Sequence, residues 1–217
     1  MLIKRFALPV IVLYMVDVGL SVEQIAIITI AGWATSTILE VPSGAIADYI
    51  GHRWALVYAS IFQALSMALF LGGTFWWILA GSIVYWGMGT LMTGTLSALF
   101  YERLQELGRV KEYQKLHGRA VSVAHGFGIV SMALAGLAYA IAWWIPFVVG
   151  IGQFILAALV IATFNEAKRP TSVAKFEGWF GWLHHFPVAW KAFRDNKKLF
   201  WITNVNAVIV GSFFATA

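Results

Sequence analysis

The sequence predicts an all-α, polytopic transmembrane helix bundle, and three observations carry that prediction. Of 217 residues, 60% are hydrophobic and only 12% charged, whereas soluble domains hold about 45–50% apolar and about 25% charged residues. The apolar residues gather in seven runs, each near the ~20 residues that a helix needs to cross a bilayer. All 15 lysines and arginines lie between or before those runs, on alternate loops. Cysteine is absent, which removes disulfide frameworks and thiolate metal sites.

The first run, 6–22, follows Lys4 and Arg5 and contains Asp17. A signal peptide shares that basic start, but no small-x-small cleavage site follows and the next run begins almost at once. Ser21-Val22-Glu23-Gln24 fits a capping box, with Ser21 as N-cap and Gln24 reaching back. The second run is 25–47. The third, 54–73, ends in Gly72-Gly73-Thr74, a turn signal. The fourth is 75–100, and residues 101–119 read as its polar helical extension. There Glu106 and Arg109, and Glu112 and Lys115, are three apart and placed to pair. The fifth run is 120–142. The sixth, 144–164, carries Pro146 where a helix's first turn accepts it.

Residues 165–198 are a polar linker with Pro170 and Pro187. Within it Phe176, Trp179, Phe180, Trp182, Leu183, Phe186 and Trp190, flanked by lysines, suit a helix lying in the headgroup layer. His184-His185 lack a third ligand nearby, so no metal site is expected, and no cofactor is implied. The seventh run is 199–217. A six-helix bundle (1–164), a linker (165–198) and a new helix (199–217) are the organisation of a first half, a linker and the start of a second half. The chain is therefore expected to be a fragment whose C-terminal half belongs to the same polypeptide.

Positive residues favour the inside of a membrane. The N-terminus and the second, fourth and sixth loops hold every cation, so all are expected in the cytoplasm. The net charge of +5 is then a topology signal. Nucleic acid would need a basic patch on a soluble face, and none is expected as a partner. The expected location is the plasma membrane, of the bacterial inner-membrane type.

The bend "EVPSGAIADYIGHRWAL", residues 40–56, sits between the second and third runs. Gly44, Asp48, Gly51 and Arg53 fall in the order G-x-x-x-D-x-x-G-x-R. This resembles the signature loop of the major facilitator superfamily, and six helices, a basic linker and a seventh start extend the resemblance along the chain. Tyr49 and His52 stand where that pattern commonly has basic residues. Gly44 is expected to let two helices approach closely, Gly51 to allow a turn with positive φ, and Asp48 to be held by a helix N-terminus or an arginine. The resemblance implies the six-helix N-terminal half of a major facilitator fold. It also implies a loop that latches the inner gate, with Gly44, Asp48, Gly51 and Arg53 as its residues.

Ionisable groups in lipid are costly and tend to face cavities. The six runs after the first contain one acid, Glu40, one histidine, His125, and no lysine or arginine. Gly32, Ser36, Glu40 and Gly44 recur every four residues and form one small or polar face, flanked by Trp33 and Thr37. It should pack on a neighbour or line a cavity. Asp17 and Glu40 lack a cation in the membrane, and such carboxylates tend to protonate. That suits proton coupling or a cationic substrate. His125 reads as a proton relay or as a histidine satisfied between helices. Gly118, Ser122 and Gly126, and Thr90 and Gly94, have the spacing of close helix packing. Gly87-Met88-Gly89 lacks the preceding arginine of many proton-coupled family members, and the fifth run lacks the Gly-Pro of drug antiporters, so the substrate class stays open.

The function these readings imply is secondary active transport of a small solute by alternating access, with protons as a coupling ion and the lipid bilayer as surroundings. A seven-helix receptor would reverse the orientation, and residues 199–217 hold no Schiff-base lysine for a photoreceptor. No catalytic constellation for an intramembrane enzyme can be assembled. A half-sized dimeric transporter would end near residue 165.

Overall fold

The computed structural model describes residues 8–164. Lys4, Arg5, the linker with His184-His185 and the seventh run lie outside the described residues. Six α-helices follow in order: α1 (Leu8–Asp17), α2 (Val22–Ile50), α3 (His52–Phe70), α4 (Phe75–Glu106), α5 (Tyr113–Ile141) and α6 (Ile145–Ala162). Five of the described segments are long and apolar enough to cross a membrane: Val22–Glu40, His52–Phe70, Phe75–Glu106, Val110–Ile141 and Ile145–Ala162.

The start and stop signals act as the local chemistry requires. Ser21 caps α2, with Gln24 N–H donating to Ser21 Oγ at 3.3 Å and Ser21 N–H donating to Gln24 Oε1 at 3.0 Å. Pro146 stands in the first turn of α6. The fourth helix ends sooner than the sequence suggests. Gly108 takes φ +67°, its N–H bonds the Gln105 carbonyl, and Arg109 N–H bonds that of Leu104. This Schellman closure stops α4 at Glu106, so residues 113–119 belong to α5. Salt bridges form between Arg103 and Glu106 and between Arg109 and Glu112, on either side of the break, and the charge of Lys115 also acts on Glu112.

The bundle is centred on α3 and α4. These two pack on each other, α3 also packs on α6, and α4 on α2. Polar side chains are drawn into this interior. Ser60, Gln63, Ser66, Ser82 and Thr95 are buried. Ser66 Oγ donates to the Gly81 carbonyl at 2.9 Å, and Gln63 Nε2 to that of Tyr85 at 3.0 Å. Ile61, Phe62, Leu65, Ile155, Leu156 and Leu159 are exposed. Contiguous exposed apolar surface is a liability in water. Against lipid tails it costs nothing, and helices are joined there by small residues and hydrogen bonds.

Close approach occurs at Gly32, on the face the sequence marked, and at Gly81, which it did not. A Cβ at Gly32 would overlap the Trp86 ring and Ser82 Oγ, and one at Gly81 would lie 3.2 Å from the Ser66 carbonyl oxygen. A Cβ at Gly44, Gly94, Gly118 or Gly126 would meet no described atom within 4 Å. The four-residue spacing marks a helix face correctly, but spacing alone does not say whether a neighbour covers it.

Candidate functional site

The α2–α3 turn is made by Gly51. Its φ of 101° and ψ of 135° are backbone angles that side chains disfavour, so a glycine is required, as the sequence implied. The turn is tight: Gly51 is at once the C-cap of α2 and the N-cap of α3. His52 and Arg53 therefore emerge from the first turn of α3, directly beside the last turn of α2.

These two side chains diverge. His52 Nε2 lies 3.2 Å from Asp48 Oδ1 on α2, and its Nδ1 lies 3.0 Å from Glu102 Oε1 on α4. Asp48 is thus in contact with a histidine of the next helix's first turn. Arg53 is turned away, donating through Nη2 to the carbonyl of Ala162, the last residue of α6. A cation there meets the negative end of the helix dipole. Its guanidinium carbon also sits 5.0 Å from the centre of the Trp54 ring. The turn consequently ties α2, α3, α4 and α6 together at one end of the bundle.

Next to this turn a cleft of about 270 Å³ opens between α2 and α4. Glu40, Ser43, Gly44, Ala47 and Asp48 line it from α2, Thr90, Thr93, Gly94, Thr95 and Ala98 from α4, and His52 from the turn. Gly44 is therefore part of an open wall, not a helix contact. Within α2, Pro42 cannot donate to the Ile38 carbonyl. Ser43 Oγ, in turn, donates to the Glu40 carbonyl at 2.8 Å. The helix runs on through Pro42, which lies two residues from Glu40.

The α4 wall is threonine-rich. Thr90 Oγ1 donates to the Gly87 carbonyl at 2.7 Å and Thr93 Oγ1 to that of Thr90 at 3.0 Å. With their protons used on backbone, these oxygens can offer the cleft only lone pairs. Two carboxylates and these hydroxyls face the space, and no lysine or arginine lines it among the described residues. Acceptors predominate in the cleft, with the imidazole of His52 beside them.

Gly32 continues the face of Glu40 and Gly44, but further along α2 it is covered by Trp86. The predicted polar face thus divides into a packed part and a cavity part. Asp17 lies elsewhere. It ends α1 at the opposite end of the bundle, where Tyr139 of α5 donates to its Oδ2 at 2.6 Å. Tyr14, beside it in sequence, instead donates to the Phe70 carbonyl at 2.6 Å. His125 is exposed on α5 and does not line the cleft.

A family model described as Major Facilitator Superfamily matches residues 1–217. The chain belongs to the major facilitator superfamily. Comparison with curated proteins returned no match. As a superfamily member the chain is a multi-pass membrane transporter, and its helix bundle, polar interior and lipid-facing exterior agree with that assignment.

Glu102, Tyr139, Thr93 and Thr95 were not singled out in the sequence, and Thr90 was read only for helix packing. The run "GTLMTGTLS" carries a readable signal for the threonines, since so many hydroxyls in a lipid-spanning helix need a reason. Glu102 and Tyr139 give none, because their partners are 50 and more residues away.

Proposed function

We propose that the chain takes part in secondary active transport of a small cationic or amine-bearing solute by alternating access, coupled to protons through Glu40. One observation carries the substrate class: the α2–α4 cleft presents carboxylate and hydroxyl acceptors, with no lysine or arginine among the described residues that line it. Such a surface favours hydrogen-bond donors and positive charge, and it disfavours anions. Glu40 is the proton carrier in this reading, since it lines the cleft at the end of the α2 wall away from the α2–α3 turn. Asp17, already bonded by Tyr139, is a clamp between α1 and α5 and not part of the coupling path.

In this reading the end of the bundle with the α2–α3 turn faces the cytoplasm of a plasma membrane. There Asp48, Gly51 and Arg53 hold the inner gate, and the bundle rocks against the second half of the family's fold. Coupling works by competition. A protonated Glu40 has lost its attraction for a cation, and an ionised one regains it.

Transport into proteoliposomes with an imposed pH gradient tests the reading. Small organic cations should be driven by the gradient, while carboxylates and sugars of similar size should not. Gradient-driven transport of anions with no effect of cations would overturn it.

A further inference from the structure

We propose that Trp33 and Trp86 form an indole seat beyond the end of the α2–α4 cleft, which holds the flat apolar body of the solute while its amine reaches Glu40. The substrate class then narrows from small cations to aryl-bearing amines. The amine end rests on the cation reading of the cleft, and the seat on the two rings.

The depth of the pair is unusual. Each tryptophan is the twelfth residue of its helix, about 16 Å from the helix start at 1.5 Å per residue. That is the middle of a hydrocarbon core about 30 Å thick. Tryptophan normally gathers at the membrane–water interface, where ring and N–H find different surroundings. These two instead stand together at mid-depth, with ring centres 5.3 Å apart and planes inclined at 38°. Trp86 is fixed from behind. It lies over Gly32, where a Cβ would overlap its ring, and it meets the buried Tyr85 edge-on at 5.8 Å. Gly32 is what lets an indole lie against the α2 backbone. Trp33 is 43% exposed, so the pair has one backed ring and one open ring.

The open ring belongs to the cleft's side of α2. Glu40 and Gly44 follow Trp33 by seven and eleven residues, close to two and three whole helical turns, and both line the cleft. The exposed Ile38, five residues on from Trp33, lies about 140° round the helix from it. On α4, Thr90 and Thr93 of the cleft wall follow Trp86 by four and seven residues. Both rings therefore stand in line with the walls they extend. Thr37, exposed between Trp33 and Glu40, donates its hydroxyl proton to the Trp33 carbonyl at 3.0 Å, which leaves lone pairs there too. Trp33 and Glu40 are about 10 Å apart along the helix axis, before the reach of either side chain is counted. That suits an aryl group joined to an amine by a short alkyl chain. Indole faces take flat rings and favour positive charge, and the carboxylate beyond them takes the amine.

Binding to the full chain in lipid nanodiscs, with empty nanodiscs subtracted, tests this with butylamine, phenylbutylamine and phenylbutyrate. Phenylbutylamine should bind about tenfold tighter than butylamine, as burial of one more ring predicts. Trp33→Ala, at an exposed position where truncation opens no core cavity, should shrink that ratio to about twofold or less. It should leave the affinity for butylamine as in the parent. Trp33→Phe, which keeps a ring, should retain most of the ratio. A ratio unchanged in Trp33→Ala would overturn the proposal, as would equal binding of the two amines by the parent. Phenylbutyrate separates the seat from the cation reading. Weak binding of phenylbutyrate supports both. Binding that depends on Trp33 and is as tight as that of phenylbutylamine keeps the seat and contradicts the cation reading. Binding of neither amine contradicts both.

Discussion

At one end of the bundle Tyr14, Phe70, Phe147, Met67 and Ile78 are all but sealed from solvent, and the Tyr14 ring lies 5.6 Å from that of Trp143 and 4.8 Å from that of Phe147. At the other, the packed cluster consists of Ala47, Ala55, Ala59 and Leu91, and a cleft opens beside it. Large interlocked rings have few alternative arrangements, because interiors pack like crystals. Alanines present little to interlock, so the helices at that end are held by polar contacts of His52 and Arg53. The difference teaches where movement can occur. At the aromatic end shape fixes the helices. The cleft end is held by a few directional bonds that a proton or a ligand can compete for.

Substitutions can break this contrast, and the largest effect is expected at the aromatic end. Phe147→Ala removes a fully buried ring against Tyr14 and Phe70 and should cost about 3–5 kcal/mol, read as a fall in the thermal unfolding midpoint in detergent. Gly51→Ala, at φ 101°, should cost about 1–3 kcal/mol by backbone strain. It should also loosen the α2–α3 turn, seen as faster hydrogen exchange at the start of α3. Tyr14→Phe loses the bond to the Phe70 carbonyl, which keeps the Gly73 N–H as its other partner at 3.4 Å, for about 0.5–1.5 kcal/mol. Gly44→Ala should be the mildest. Its Cβ meets open space and alanine suits a helix better, so stability should hold or rise by up to about 1 kcal/mol. A loss of several kcal/mol at Gly44 would mean that this face is covered, and the contrast between the ends would fail there.

The helices were legible because hydrophobic runs, capping residues and glycine turns are local signals. Ser21 with Gln24, Pro146 and Gly51 each act within a few residues of themselves. The signature loop was legible for the same reason, as spacing along the chain. The site was legible only in part. Glu40 and Asp48 could be named as costly acids, but that they share one cleft with Thr90 and Thr93 depends on how α2 lies on α4. Gly44 and Gly118 show the limit most clearly. They share the four-residue spacing of Gly32, yet Gly32 is covered by Trp86 while a Cβ at Gly44 or Gly118 would meet no described atom within 4 Å. Side chains with partners far away in sequence, such as Glu102 and Tyr139, carry no local mark at all.

The central claim is that coupling resides in the cleft and not at the aromatic end. It is tested most directly by comparing Glu40→Gln and Asp17→Asn in proteoliposomes, measuring gradient-driven accumulation of a cation beside its exchange at equal pH. Glu40→Gln should lose accumulation by about tenfold or more, equivalent to about 1.4 kcal/mol of coupling, while exchange persists, and Asp17→Asn should accumulate as the parent does. Accumulation intact in Glu40→Gln and lost in Asp17→Asn would contradict the account.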